Sequence, residues 1–334
     1  METIILTKDI KEGIELKNTL DCLSNNFSSV KNYTKKDILF SSEKFKDTFF
    51  IFSTWYMPFF TEEEVREYFP SLKAIFYAAG TVKYFADSFL NMGVRIFSAA
   101  KANAIPVAEF VTSQIILANK GYFQAQREYR KPFWRISFNK ARNYTLQKKG
   151  NYQARIGIIG CGDIGSRVVE LLKPYKLDVC IYDPYISVKR VEELRVKRTD
   201  IKEIFYNCDV ISNHLPNIPE TVGMINYELL SLMKDNATFI NTGRGEQVVE
   251  RDLAKIMHKK PNACALLDVT SREPVWPWSQ LLRRKNIFLT PHISGSLSYE
   301  KNRMVEYMIT AYHNTIAGRS DISAITLEEL NRKT

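Results

Sequence analysis

A β-rich apolar run, Arg155 to Ile159, passes directly into Gly160-Cys161-Gly162-Asp163-Ile164-Gly165, and this loop opens a helical pattern through Val168, Val169, Leu171 and Leu172. A glycine triplet at this spacing is weak evidence alone; between a strand and a helix it is the turn that lets a pyrophosphate lie against the main chain. Gly160 permits the tight turn, Gly162 lets the backbone approach the phosphates, and Gly165 allows close packing of helix on strand. The helix start then offers unpaired N–H groups and the positive end of its dipole. Asp183 ends the next apolar run, 18 residues after Gly165, where a carboxylate binds both ribose hydroxyls of a dinucleotide. Because that carboxylate would repel a 2′-phosphate, NAD is expected rather than NADP, with Lys189 and Arg190 nearby pulling the other way.

From Arg155 onward, apolar runs at Arg155 to Ile159, Val179 to Tyr182, Val210 to Leu215, Thr238 to Thr242, Cys264 to Val269 and Ile287 to Thr290 alternate with helical patterns. Six strands complete a dinucleotide-binding unit. The first hundred residues alternate similarly, with strands expected at Thr3 to Leu6, Phe49 to Ser53, Leu72 to Ala78 and Val94 to Ser98 and a capping box at Thr61 and Glu64. Strand–helix alternation predicts α/β architecture: two Rossmann-like or flavodoxin-like doubly wound parallel-sheet domains with an interdomain cleft. A helix opened by Pro106 provides the first crossover. The helical stretch Leu297 to Ile316 leads back, so the expected domains are 1–102 plus 296–334, discontinuous, and 103–295. Few residues follow that helix, which predicts no appended regulatory domain.

At 334 residues and 45% hydrophobic composition the chain has material for two cores. The N-terminal apolar run meets Lys8 and Asp9 almost at once, which fits neither a signal peptide nor a membrane span and predicts a cytoplasmic protein. Cys22, Cys161, Cys180, Cys208 and Cys264 are odd in number and scattered, which predicts reduced core thiols, without a disulfide framework or a metal site. Of four histidines, His258 and His313 read as solvated positions. The net charge of +10 is concentrated locally: eight basic residues between Arg127 and Lys149 interleave with Tyr129, Phe133, Trp134, Phe138 and Tyr144. Such interleaving occurs in nucleic-acid binders. With no nucleic-acid motif present, the segment reads instead as an arm packed on another subunit.

Three further blocks follow the glycine loop: Asn241-Thr242-Gly243-Arg244-Gly245, Leu267-Asp268-Val269-Thr270-Ser271-Arg272-Glu273-Pro274 and Thr290-Pro291-His292-Ile293-Ser294-Gly295. In order and spacing they resemble the signature blocks of the D-isomer-specific 2-hydroxyacid dehydrogenases, and the likeness runs from about Leu72 to Gly295. The resemblance implies that Arg244 binds the substrate carboxylate and polarises the C2 carbonyl, a task suited to a planar guanidinium. It implies that His292 exchanges a proton with the carbonyl oxygen as hydride is transferred, and that Glu273 accepts a hydrogen bond from the far imidazole nitrogen and fixes the ring. It also assigns cofactor contacts: Asp163 and Ile164 at the phosphates, Leu215, Pro216 and Thr221 on the adenosine side, and Thr242, Gly243 and Asp268 at the nicotinamide ribose and carboxamide. His214 is then structural rather than catalytic.

In the N-terminal domain the resemblance places the substrate carboxylate on a glycine-rich turn, here Ala79, Gly80 and Thr81. The family pattern G-x-G-x-D is broken, because Ala78 and Val82 stand where it has glycine and aspartate. Trp55-Tyr56-Met57-Pro58 is expected either to wall the pocket or to pack in the core. The implied activity is reversible hydride transfer between NAD(H) and a small 2-oxo or 2-hydroxy acid by a homodimer. The alternative is an NAD(H)-responsive, non-enzymatic interaction protein like the corepressors of this fold family.

Overall fold

The computed structural model describes residues 2–7, 30–319 and 324–333. Cys22, and the Lys8 and Asp9 that end the N-terminal apolar run, lie outside them. The chain divides into two compact units, residues 1–103 with 296–334, and 104–295.

In the first unit, β1 (Glu2–Leu6), β2 (Asn32–Tyr33), β3 (Thr48–Ser53), β4 (Ala74–Tyr77) and β5 (Arg95–Ser98) form a parallel sheet in the order β2-β1-β3-β4-β5. This is the flavodoxin-like order, in which the chain winds outward from β1 in both directions. Ile51, Phe52, Ile75, Phe76 and Ile96 are fully buried, and Met304, Val305, Met308 and Ala311 of the helix Glu300–Ile316 join the same core. The capping box closes as expected: the Glu64 N–H donates to Thr61 Oγ1 at 3.3 Å and the Thr61 N–H to Glu64 Oε2 at 2.9 Å, starting the helix Glu62–Tyr68.

The second unit holds β6 (Tyr152–Ile159), β7 (Lys176–Tyr182), β8 (Lys197–Arg198), β9 (Val210–Asn213), β10 (Thr238–Asn241), β11 (Cys264–Leu267) and β12 (Ile287–Leu289). Its order is β12-β11-β10-β9-β6-β7-β8, all parallel, so the direction of winding reverses between β6 and β9. Neighbouring side chains alternate between two cores: Ile211 and Phe239 enter one, Val210 and Ile240 the other. Burial on both faces explains why these strands read as continuous apolar runs. The two-residue edge strand β8 has no such run and escapes the pattern.

One sequence expectation is corrected. Pro106 lies inside the helix Ala100–Asn119 and does not open it. The Ala-rich stretch from Ala100 favours helix, and the Ala100 N–H donates to Ser98 Oγ at 3.2 Å, so the helix begins six residues before the proline. Cys161, Cys180, Cys208 and Cys264 are buried thiols, and His258 and His313 are exposed. No helix among the described residues is long and apolar enough to cross a membrane.

Candidate functional site

Parallel strands put all their C-terminal ends on one edge, and in open α/β sheets ligands bind there at the reversal of winding. Here that point is flanked by the glycine loop after β6 and by His214-Leu215-Pro216 after β9. The three glycines meet three different constraints. Gly160 has φ +83°, and a Cβ on it would stand 2.6 Å from the His214 carbonyl oxygen. At Gly165 a Cβ would meet the Gly160 oxygen at 2.1 Å, whereas at Gly162 it would meet nothing within 4 Å. The first and third glycines thus fold the turn, and the second leaves its backbone open to a ligand. Asp163 and Ile164 begin the helix Asp163–Leu172 and so carry the unpaired N–H groups of its first turn.

Asp183 stands just beyond β7, where its Oδ2 accepts the Cys161 N–H at 2.8 Å and its Oδ1 the Tyr185 N–H at 2.8 Å. Each oxygen keeps an acceptor position suited to a ribose hydroxyl. Arg190, one of the two cations nearby, is committed to Glu170 and Glu193 at 3.0 and 3.2 Å. Burial, with Asp183 beside it, pushes the Cys161 thiol up to about 12, so the loop carries no thiolate. The glycines, the helix start and the carboxylate together fit a dinucleotide.

Beyond β10, β11 and β12 come the three blocks. His292 Nδ1 lies 2.8 Å from Glu273 Oε2, and both side chains are about half exposed. His292 adopts φ +55°, unusual for a residue with a side chain. It is held there by its N–H, which donates to the Asp268 and Thr290 carbonyls at 3.0 Å each. The buried Asp268 carboxylate ties down the same loop: its Oδ1 accepts from Thr290 Oγ1 at 2.6 Å and the Ile293 N–H at 2.8 Å, and its Oδ2 from the Ser294 N–H at 2.8 Å. Asp268 therefore acts within this unit as the anchor of the histidine loop. Thr221 similarly uses its hydroxyl inside its own loop, donating to the Pro216 and Ile218 carbonyls.

Arg244 is half-buried, its Nη1 donating to the Gly243 carbonyl at 2.8 Å, and it forms no ion pair among the described residues. Its backbone is clamped by a buried amide cluster. Gln247 Oε1 accepts the Arg244 N–H at 3.1 Å and an Asn213 Nδ2 hydrogen at 2.6 Å, while Gln247 Nε2 donates to the carbonyls of Leu215 and Pro216. Asn241 Oδ1 accepts from Asn213 Nδ2 and from the Gly243 N–H. Asn213 and Asn241 are paired neighbours at the ends of β9 and β10. Two amides ending adjacent apolar runs were the available signal; Gln247 had none.

His214 is buried, with Ser212 Oγ at 2.9 Å from Nε2 and Thr242 Oγ1 at 3.5 Å from Nδ1. Burial holds its imidazole down to about 3, so it is neutral in the folded chain. The unfolded chain takes up a proton here as pH falls through about 6.5 and the folded chain does not, so stability is lost below that pH. Urea denaturation should show this residue costing about 1.5 kcal/mol between pH 6.5 and 5, a slope that His214→Gln should reduce. An unchanged slope in the variant would remove His214 as its source.

In the first unit, the Gly80 and Thr81 N–H groups make no hydrogen bond among the described residues, and a Cβ on Gly80 would meet nothing within 4 Å. Ser98 Oγ holds the turn through the Ala79 and Gly80 carbonyls at 3.1 and 2.6 Å. Ala78 and Val82, which break the glycine–aspartate pattern, are both fully buried. Trp55 is half-buried and Met57 buried, while Tyr56 is exposed.

The glycine loop, the reversal of winding and Asp183 define a dinucleotide-binding unit. Residues 112–294 match the family model of the D-isomer specific 2-hydroxyacid dehydrogenase, NAD binding domain, and the chain belongs to that family. It is 31% identical over 204 residues to a D-3-phosphoglycerate dehydrogenase of Archaeoglobus fulgidus, covering 61% of this chain and 37% of that protein. It is 27% identical over 248 residues to a glyoxylate reductase of Korarchaeum cryptofilum, covering 73% of each. The chain spans half or less of the length of several curated relatives it matches. In fold it is similar to the D-mandelate dehydrogenase of Rhodotorula graminis, with a TM-score of 0.78 at 17% identity over 97% of each chain.

Proposed function

We propose that the chain interconverts a 2-oxo acid and its D-2-hydroxy acid with NAD(H). The observation that carries this reading is the His292–Glu273 pair at 2.8 Å, set on the same strand edge as the dinucleotide loop. Bound NADH supplies the hydride to the C2 carbonyl carbon. His292 gives the proton on Nε2 to the carbonyl oxygen, which leaves a hydroxyl, and takes it back in the oxidation. Glu273, on Nδ1, fixes the tautomer and the plane of the ring. Arg244, which has no carboxylate partner among the described residues, binds the substrate carboxylate and polarises the carbonyl. In the first unit, the Gly80 and Thr81 N–H groups, which make no hydrogen bond among the described residues, also suit a carboxylate. Thr242 and Gly243, beside the amide cluster, serve the nicotinamide ribose and carboxamide in this reading, and Leu215 and Pro216 the adenosine side. Assembly as a homodimer is supported by Phe133, Trp134 and Ile136, which are 62–79% exposed on or beside one short helix.

The test is NADH oxidation with glyoxylate, hydroxypyruvate, pyruvate and branched 2-oxo acids. Turnover of at least one is expected. NADH binding without turnover of any 2-oxo acid would instead favour an NAD(H)-responsive interaction protein.

A further inference from the structure

A groove of about 800 Å³ opens in the first unit. Trp55, Tyr56, Phe59, Tyr77 and Tyr84 wall it, and it reaches the turn at Gly80 and Thr81. A volume of roughly 150 Å³ already accommodates benzene, so the space far exceeds what a two- or three-carbon acid fills. Its walls are built to stay in place. Lys301, buried in the helix Glu300–Ile316, sets its Nζ 5.1 Å from the centre of the Trp55 ring. Tyr77 and Tyr84 share a hydroxyl–hydroxyl contact of 3.3 Å, and burial raises both phenols. Tyr56 takes φ +73°, a left-handed backbone that aromatic residues seldom adopt, and its ring is 60% exposed. Backbone strain of this kind is concentrated at functional sites, and here it presents an aromatic side chain at a groove wall. Lys35 and Lys36 also line the groove; the Lys35 charge is compensated, its Nζ held by Glu64 at 2.7 Å and by the Phe59 carbonyl at 2.9 Å.

We propose that this groove receives the side chain of the 2-oxo acid and that this side chain carries an aromatic ring. The inference rests on the reading of the chain as a 2-oxo acid reductase and adds the class of substrate. Gly80 and Thr81, whose N–H groups make no hydrogen bond among the described residues, line this groove together with the aromatic residues, so an acid held by its carboxylate at that turn has the aromatic walls within reach of its side chain. Aromatic walls reward an aromatic occupant through offset and edge-to-face contacts beyond simple burial. The tyrosine hydroxyls also leave polar partners for a substituted ring.

The experiment compares kcat/KM for phenylpyruvate, glyoxylate and pyruvate with NADH on the full chain. Phenylpyruvate is expected to exceed glyoxylate by about tenfold or more. Tyr56→Gly removes the ring at a position whose backbone suits glycine, so its Tm should not fall, while the phenylpyruvate-to-glyoxylate ratio should drop by about tenfold. Phe59→Ala should lower the same ratio and serves as the second probe. Reduction of glyoxylate or pyruvate in preference to phenylpyruvate overturns this inference and leaves the proposed function standing, as does a ratio unmoved in both variants. Reduction of none of the three overturns this inference, and if hydroxypyruvate and branched 2-oxo acids are also left unreduced with NADH bound, the proposed function falls with it.

Discussion

His292→Ala is expected to lower turnover of the 2-oxo acid by about 10² to 10⁴-fold, the range for losing a positioned general acid, with NADH affinity nearly unchanged. The proposed proton donor is Nε2; Nδ1 is occupied by Glu273, and the imidazole belongs to a loop separate from the one facing the phosphates. His292 is held at φ +55° by two main-chain hydrogen bonds, and alanine tolerates that conformation no better than histidine. Loop strain is therefore similar in the variant, and the loss reports on the imidazole itself. Single-turnover kinetics with NADH fluorescence separates binding from chemistry; turnover within a factor of a few of wild type would remove His292 from the mechanism. Glu273→Gln tests the pair from the other side, because an amide keeps a hydrogen bond to Nδ1 but not the carboxylate charge.

The parts of this site that were legible in sequence depend on one stretch of backbone at a time. Gly160, Gly162 and Gly165 announce themselves because each obeys a constraint set within the turn, and Asp183 because it ends the next strand. The buried strands are readable because both faces enter a core. Other features depend on contacts between distant segments. Gln247 matters because it bonds to Asn213, Arg244, Leu215 and Pro216 together, and nothing beside it in the chain says so. Asp268, which the family resemblance puts at the nicotinamide side, also holds the loop of His292, through contacts that no neighbouring residue announces. The groove behind Tyr56 is a matter of side-chain shape, to which hydrophobic patterning is blind. Pro106 marks a different limit: a residue suited to a helix start was outweighed by the Ala-rich residues before it.

Gly245→Ala is expected to be the most damaging single-methyl change in the site. The glycine does not owe its place to backbone conformation, since its φ is not in the left-handed region. It lies against another stretch of main chain: a Cβ there would stand 1.9 Å from the Thr270 carbonyl carbon, 2.1 Å from the Ser271 nitrogen and 2.2 Å from the Thr270 oxygen. Ordinary contact begins near 3.4 Å, and main chain, unlike the end of a flexible side chain, cannot swing aside. The methyl must therefore drive the Arg244 loop and the Thr270–Glu273 loop apart by more than 1 Å. Overpacking of this kind costs about 1–3 kcal/mol of stability. The expected functional cost is larger, because Gly245 adjoins the arginine proposed to bind the substrate and the opposing loop carries the carboxylate proposed to orient the acid. A displacement of about 1 Å in such a constellation costs on the order of 10²-fold in rate. The dinucleotide loop after β6 is untouched, so the variant should lose kcat far more than NADH affinity. A Gly245→Ala protein with near wild-type turnover would show that the two loops need not hold this spacing, and the roles assigned to Arg244 and Glu273 would have to be separated.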